Sequence, residues 1–314
     1  MSVEYPCTIA ALDVGGTKMA GALVRYPAAG TAPEVVALRS VPTEAGRGGD
    51  AVLDTLTALV GDVAADADGT IAGIGVGTAG CVDVRTGGIA FANELMPGWT
   101  GQPVAAHLGA TFGLPVAVLN DVKAHALGEA RWGAARGAQT CLVIAAGTGL
   151  GGAVVAEGRV LLGAHGFAGE LGRTPCPDAL GTPRTCGTAS ELESIAAGSG
   201  IEARYVAAGG ERVAGGEIAR RAADGEELAG RVIREAGAVL GEAIDMWVDL
   251  LDPEFVVLSG SVCNAGPLWR AALHEGFERQ APPIMHGLPI VDAALGGRAP
   301  LIGAAEYLLD SLKG

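Results

Sequence analysis

Short apolar runs rich in β-branched residues recur along the chain, at Thr8–Leu12, Ala20–Val24, Ile71–Val76, Val116–Leu119, Cys141–Ala145, Ala153–Val155 and Phe255–Leu258. Each has the length of a buried strand. Between them lie helix-length segments, Asp50–Ala65, Lys123–Trp132, Glu217–Asp249 and Pro267–Arg279. Many open near Asp, Glu or Pro, the residues that helix starts favour. Strands alternating with helices predict α/β layering. The opening strand, glycine turn and second strand around Asp13–Lys18 have a looser echo at Ile144–Val155. That echo fits a duplicated architecture, although no low-complexity linker, tight repeat or clear sequence repeat divides the chain.

The 314 residues are enough for two lobes with separate cores. Lys and Arg together number 21 against 35 Asp and Glu, a formal charge of −14, which offers little to a phosphate backbone and argues against nucleic acid as a partner. Lys18, Lys123 and Lys313 are the only lysines and none follows a glycine, so the loop G-x-x-x-x-G-K-[ST] cannot be written on this chain. Glycine, at 51 residues, is about twice its usual share. The excess predicts many places where backbone meets backbone or ligand. Six cysteines are scattered without a C-x-x-C pair, which fits a reducing compartment. The N-terminus lacks the basic start and apolar run of a secretory signal. The uncharged stretch Gly137–Ala156 is long enough to span a bilayer, yet Gly147, Gly149, Gly151 and Gly152 interrupt it, and it reads as strand, turn, strand. These features predict a soluble, acidic, cytoplasmic α/β protein with no membrane partner.

Two segments have the chemistry of phosphate loops. In the first, Asp13 ends a strand and Gly15, Gly16, Thr17 and Lys18 follow. Two glycines let backbone N–H groups and the Thr17 hydroxyl approach a phosphate oxygen, and Asp13 can hold Mg²⁺ through water, since a hard cation wants oxygen ligands. Alone, the motif also reads as an ordinary Gly-Gly hairpin. The second, Gly147-Thr148-Gly149-Leu150-Gly151-Gly152, formally matches G-x-G-x-x-G, as does Gly75–Gly80. A dinucleotide fingerprint must open a helix, whereas both runs continue into strand-like residues, so a Rossmann dehydrogenase is disfavoured. Read as strand, glycine hairpin and strand, the second loop resembles the first, and the two can hold one nucleotide from opposite sides.

Asn120-Asp121 follows the strand Val116–Leu119, where side chains in α/β proteins point toward the ligand crevice. Asp121 can take a proton from a substrate hydroxyl and Asn120 can hydrogen-bond to it; an isolated Asn-Asp otherwise reads as a helix cap. Farther on, Glu170 and Arg173 stand three residues apart, within reach of one ligand if the segment turns helically, and Glu193 lies in the first turn of a predicted helix. Carboxylates suit sugar hydroxyls, because their oxygens accept what a hydroxyl donates. Taken singly, each of these charges is explained by a surface salt bridge. The five histidines show no metal-binding spacing, and the four tryptophans are too dispersed to stack single-stranded bases.

In chain order, Asp13-Val14-Gly15-Gly16-Thr17-Lys18, Asn93 with Pro97-Gly98-Trp99, Leu119-Asn120-Asp121, Gly147–Gly152, Gly166–Gly172, Leu258-Ser259-Gly260 and Leu301–Ala305 resemble the ROK family (repressors, open reading frames, kinases) over nearly the whole chain. The resemblance implies an actin-like ATPase domain, a ribonuclease H-like α/β fold of two lobes with an interlobe cleft. It places the N-terminal lobe at 1–120 with a returning helix near 302–314, and the C-terminal lobe at 121–301. It implies ATP held with Mg²⁺ by Asp13, Gly15, Gly16, Thr17 and Lys18 and by Gly147, Thr148, Gly149 and Gly151, with Gly260 near the adenosine. Asp121 matches the catalytic base that deprotonates a sugar hydroxyl, while Gly80, Asn93, Asn120, Glu170, Arg173 and Glu193 match sugar-holding positions. The family's kinases are often dimers, which implies a homodimer.

Two departures from the family pattern stand out. Sugar kinases of the family commonly bind zinc through one His and three Cys, but the corresponding positions here are Arg173, Arg184, Cys186 and Glu191. One thiolate cannot make a tetrahedral structural site, so no zinc is expected. Arg173 also alters the sugar pocket, since a guanidinium only donates and cannot copy both roles of an imidazole. A glucose-like hexose, a modified or amino hexose and a cyclitol all fit as acceptor. A repressor of the family carries an N-terminal helix-turn-helix, for which the few residues before the first strand leave no room. A non-catalytic sugar-binding regulator is disfavoured by the intact Asp13, Asp121 and glycine turns. Polyphosphate as donor is disfavoured by the low basic content.

Overall fold

The computed structural model describes residues 4–180, 191–279 and 281–313. The chain runs through β1 (Cys7–Val14), β2 (Lys18–Tyr26), β3 (Glu34–Pro42), α1 (Gly49–Ala64), β4 (Ile74–Thr78), β5 (Cys81–Asp83), β6 (Gly88–Phe91), α2 (Val104–Phe112), β7 (Val116–Asn120) and α3 (Asp121–Trp132). It continues through β8 (Thr140–Ala146), β9 (Leu150–Ala156), β10 (Arg159–Val160), α4 (Glu193–Ala196), α5 (Gly198–Ala207), α6 (Gly215–Ala223), α7 (Glu227–Leu251), β11 (Phe255–Ser259), α8 (Pro267–Glu278), β12 (Ile290–Asp292) and α9 (Ala299–Lys313).

Two five-stranded sheets share one plan, with orders β3-β2-β1-β4-β7 and β10-β9-β8-β11-β12. In the first, β1 pairs antiparallel with β2 and parallel with β4, and β4 runs parallel to β7. In the second, β11 lies parallel to both β8 and β12. The loose echo between the two glycine turns is therefore the visible part of a duplicated sheet. Alternation along β1 explains why both faces of the first sheet are covered. Ala10, Leu12 and Val14 pack in one cluster with Leu56, Leu59 and Val63 of α1, while Ile9 and Ala11 pack in another with Leu301, Ala305 and Leu308 of α9.

By its internal contacts the chain forms two units, residues 1–137 with 154–168 and 294–314, and residues 138–153 with 169–293. This division differs from the boundary expected after residue 120. The reason is α3, which packs closely on α9 and so belongs with the first sheet. A Cβ on Gly303 would stand 1.7 Å from the Ala124 carbonyl oxygen, so the two helices meet backbone to backbone. The contact is reinforced by charge: Arg131 pairs with Glu306 at 2.7 Å and with Asp310 at 2.6 Å, and the Trp132 indole N–H donates to Glu306 at 2.7 Å.

The single helix predicted over Glu217–Asp249 is two helices. Gly225 takes φ +94°, and the N–H groups of Gly225 and Glu226 close onto Ala222 and Arg221, which ends α6 before α7 begins. Strand β3 escapes the sequence pattern because it is an edge strand whose positions are all half-buried or exposed, whereas the strands beside it are almost continuously buried.

Gly303→Ala is expected to cost about 2–3 kcal/mol in urea unfolding, as overpacking at a rigid backbone contact does. Gly297→Ala, where an added Cβ meets nothing within 4 Å, should change stability by no more than about 0.5 kcal/mol.

Candidate functional site

In the first unit, Gly15, Gly16 and Thr17 turn the chain from β1 into β2, with the Gly15 N–H donating to the Lys18 carbonyl at 3.1 Å. Thr43, buried just after β3, holds the outer side of this turn. Its N–H donates to the Thr17 carbonyl at 3.0 Å and its hydroxyl to the Gly15 carbonyl at 2.6 Å. Among the described residues the N–H groups of Gly16 and Thr17 take no partner, which leaves a pair of donors for an anion.

Asp13 lies opposite Gly77 of β4, one residue before the end of β1. Burial and the nearby charge of Asp121 push its carboxyl up to about 7, with Lys18 acting in the opposite direction. Asp121 opens α3 directly after β7. Asn120 has both roles considered for it: its Oδ1 accepts the Lys123 N–H at 3.1 Å as a helix cap, and its Nδ2 donates to Asp121 Oδ1 at 2.9 Å and to the Gly80 carbonyl at 3.1 Å. The Val122 N–H also donates to Asp121 Oδ1 at 2.9 Å. These two bonds converge on Oδ1. Burial raises the Asp121 pKa, opposed by these hydrogen bonds and by Lys123, whose side chain is itself buried.

Gly80 links this strand end to the segment of Asn93. It takes φ +95°, and a Cβ there would stand 2.7 Å from the Phe91 carbonyl oxygen. Asn93 is exposed, and its Oδ1 accepts the Leu95 N–H at 3.1 Å. The structure thus draws Asp13, the first glycine turn, Gly80, Asn120 and Asp121 to the same end of the first sheet.

In the second unit, Gly147, Thr148 and Gly149 turn β8 into β9, so this G-x-G-x-x-G opens a strand. The N–H of Gly198 donates to the Gly147 carbonyl at 2.8 Å, and Ser199 donates to the Thr148 carbonyl from both its N–H at 3.2 Å and its hydroxyl at 2.7 Å. The N–H groups of Thr148 and Gly149 take no partner among the described residues. The same outward carbonyls and open N–H groups are seen at the first turn. Gly147 and Thr148 also line a cavity of about 370 Å³, walled by Gly215, Ile233, Val262 and Asn264. Gly260 immediately precedes Ser261 and Val262, which line this cavity. Its φ of +95° and the 2.2 Å from its Cβ position to the Ala146 carbonyl oxygen make it the bend that follows β11 against β8. Gly151 lies within β9.

Glu170 immediately precedes one 3-10 turn, Leu171–Arg173, so the helical spacing expected for Glu170 and Arg173 is realised over a single turn. Arg173 pairs with Glu191 at 3.5 Å. Glu193 opens α4, and its Oε2 accepts the Leu150 N–H at 2.8 Å. Arg184 and Cys186, the other two positions compared with zinc ligands, lie outside the described residues. Among the described residues no group of three or more His, Cys, Asp or Glu is arranged to hold a metal.

Thr43 and Ser199 stand outside the motifs found in the sequence. Thr43 sits in no motif, and only the register of β3 beside β2 brings it to the turn. Ser199 had a local signal, a serine between glycines at the start of a helix.

The Asp13 shift has a sign that can be measured. A carboxyl whose folded pKa is about 7 keeps its proton in the folded state above the pH at which the unfolded chain loses it. Stability of the metal-free protein should therefore fall as pH rises from about 4 to about 7. In Asp13→Asn, pH-dependent urea unfolding should lack that part of the loss.

The ROK family model matches residues 9–311. A glucokinase of Halalkalibacterium halodurans is 33% identical over 93% of this chain and 92% of its own length. An N-acetylmannosamine kinase of Escherichia coli O157:H7 is 35% identical over 95% of this chain and 97% of its own. A ROK family glucokinase from Streptomyces griseus, crystallised with glucose and AMPPNP, matches with a TM-score of 0.76 at 26% identity, covering 95% of this chain and 98% of that one. With its duplicated sheets, its two glycine turns and a family match across nearly its full length, the chain belongs to the ROK family and has the actin-like ATPase fold of that family's sugar kinases.

Proposed function

We propose that this sugar phosphotransferase transfers the γ-phosphate of ATP to the 6-hydroxyl of a glucose-like or modified hexose, with Asp121 as general base. The observation that carries the reading is the set of hydrogen bonds that fixes Asp121 Oδ1 at the end of β7, with Oδ2 as the oxygen proposed to meet the alcohol. Burial raises the proton affinity of this carboxylate, which suits a group that must take a proton from a hydroxyl. The open N–H groups of the two glycine turns suit phosphate oxygens. Positioning and charge neutralisation supply most of the rate, because phosphoryl transfer asks little covalent help of the protein.

The first-unit carboxylates fit Mg²⁺. Asp13 presents hard oxygen, and a divalent cation offsets both the burial and the nearby Asp121 charge that raise its pKa. Asp13 would hold the ion through water, and the bound ion would neutralise phosphate charge. Zinc does not fit, since the two described positions compared with its ligands carry Arg173 and Glu191, which pair with each other. Glu170, Arg173, Glu193, Asn93, Asn120 and Gly80 are the proposed acceptor-holding residues. An amino hexose is the second acceptor class, supported by the likeness to an N-acetylmannosamine kinase and by the donor-only Arg173. Among the described residues no helix is long and apolar enough to cross a membrane. A cytoplasmic location and a homodimer complete the proposal. Exposed Met246 and Leu250, one turn apart on α7, support the dimer.

A coupled ADP-release assay over hexoses, amino hexoses and cyclitols should show acceptor-dependent turnover, and Asp121→Asn should lower kcat by about 10²–10⁴-fold. Acceptor binding without turnover in the wild type would instead mark a regulator. Native mass spectrometry of chelator-washed protein should give a dimer mass without zinc; one zinc per chain, or a monomer at micromolar concentration, would contradict the corresponding part of the proposal.

A further inference from the structure

We infer that Glu193 is a positioning residue for the second phosphate turn, in addition to the acceptor-holding role proposed above, on which this inference builds. Its carboxylate accepts the N–H of Leu150, the residue immediately after the Gly147–Gly149 turn, at 2.8 Å. The chain that begins at Glu193 then returns to the same turn. Past α4, Gly198 and Ser199 bond to the carbonyls of Gly147 and Thr148. One continuous stretch of seven residues, 193–199, therefore grips the turn at both ends, by a side chain at Leu150 and by backbone and hydroxyl at Gly147 and Thr148.

The other edge of this stretch is fastened to the segment of Glu170 and Arg173. The Leu192 N–H donates to the Thr174 carbonyl at 2.9 Å, Glu191 forms an isolated antiparallel bridge with Pro175, and Arg173 pairs with Glu191. Residues 191–199 thus run as a strap from the proposed acceptor-holding segment to the turn whose N–H groups await phosphate. A displacement of the Glu193 carboxylate by an acceptor hydroxyl changes the same oxygen pair that fixes Leu150. Acceptor and nucleotide are coupled through it, and the coupling acts in both directions.

The test is nucleotide binding without any sugar. AMPPNP with Mg²⁺ is titrated calorimetrically into wild type, Glu193→Met, Glu193→Gln and Ser199→Ala, with thermal melts to confirm folding. If Glu193 only holds sugar, its loss leaves sugar-free AMPPNP affinity unchanged. If it positions the turn, Glu193→Met should weaken AMPPNP about tenfold or more, as loss of a charge-assisted hydrogen bond does. Glu193→Gln, which keeps an acceptor oxygen, should recover part of that affinity, and Ser199→Ala should weaken AMPPNP several-fold from the other end of the grip. Wild-type affinity in Glu193→Met, with only the acceptor KM raised, overturns the inference and leaves the sugar kinase reading intact. Should Glu193→Met fail to fold, wild-type affinity in both Glu193→Gln and Ser199→Ala overturns it equally. Absence of turnover with every acceptor would count against the kinase reading alone, because the AMPPNP titration does not depend on it.

Discussion

Asp13 and Asp121 are kept at one end of the first sheet, where burial and then the charge of Asp121 raise the proton affinity of Asp13, and the rest of the candidate site is built around that placement. Two half-buried carboxylates repel, and a fold keeps them together only by tying each to its own support. Asp13 is carried on a strand paired on both sides, and Asp121 is bound by Asn120 and the first turn of α3. The chain has only three lysines, and two of them, Lys18 and Lys123, supply the opposing charge at these carboxylates. The packing of α3 on α9 serves the same end. A helix that begins with the proposed base is fixed along its length by a backbone contact at Gly303 and by the Arg131–Glu306–Asp310 pairs.

The two glycine turns solve one problem twice. A tight turn exposes carbonyl oxygens as well as N–H groups, and carbonyls facing a phosphate would repel it. In both turns a distant segment with a hydroxyl-bearing residue takes up the carbonyls, Thr43 in the first and Ser199 together with the Gly198 N–H in the second. The N–H groups are left with no partner among the described residues. Sharing this arrangement on sheets of matching strand order, the turns are related by fold even though their sequences have diverged. The second turn has a further tie at Leu150, made by a charged side chain.

Part of the candidate site's skeleton was legible in the sequence because its placement depends on short-range chemistry. Glycines after a strand ending in Asp, and Asn-Asp after an apolar run, are local patterns, and the structure finds both at strand ends. The helix cap and the Asn120–Asp121 hydrogen bond were read as alternatives, and the geometry satisfies both with the two ends of one amide. What escaped depends on register and long-range packing. Thr43 reaches the first turn only because β3 lies beside β2, and β3 itself was hidden by its exposed edge position. The break between α6 and α7 rests on one glycine, too small a signal against an otherwise continuous amphipathic pattern. The Arg173–Glu191 pair joins positions far apart in the sequence, beyond the reach of any local pattern.

The most direct measurement is a crystal structure of the protein with AMPPNP, Mg²⁺ and whichever hexose it phosphorylates fastest. Phosphate oxygens are expected on the N–H groups of Gly16, Thr17, Thr148 and Gly149, and the acceptor hydroxyl within hydrogen-bond reach of Asp121 Oδ2. An acceptor hydroxyl that meets another side chain, with Asp121 contacting neither ligand, would contradict Asp121 as the general base.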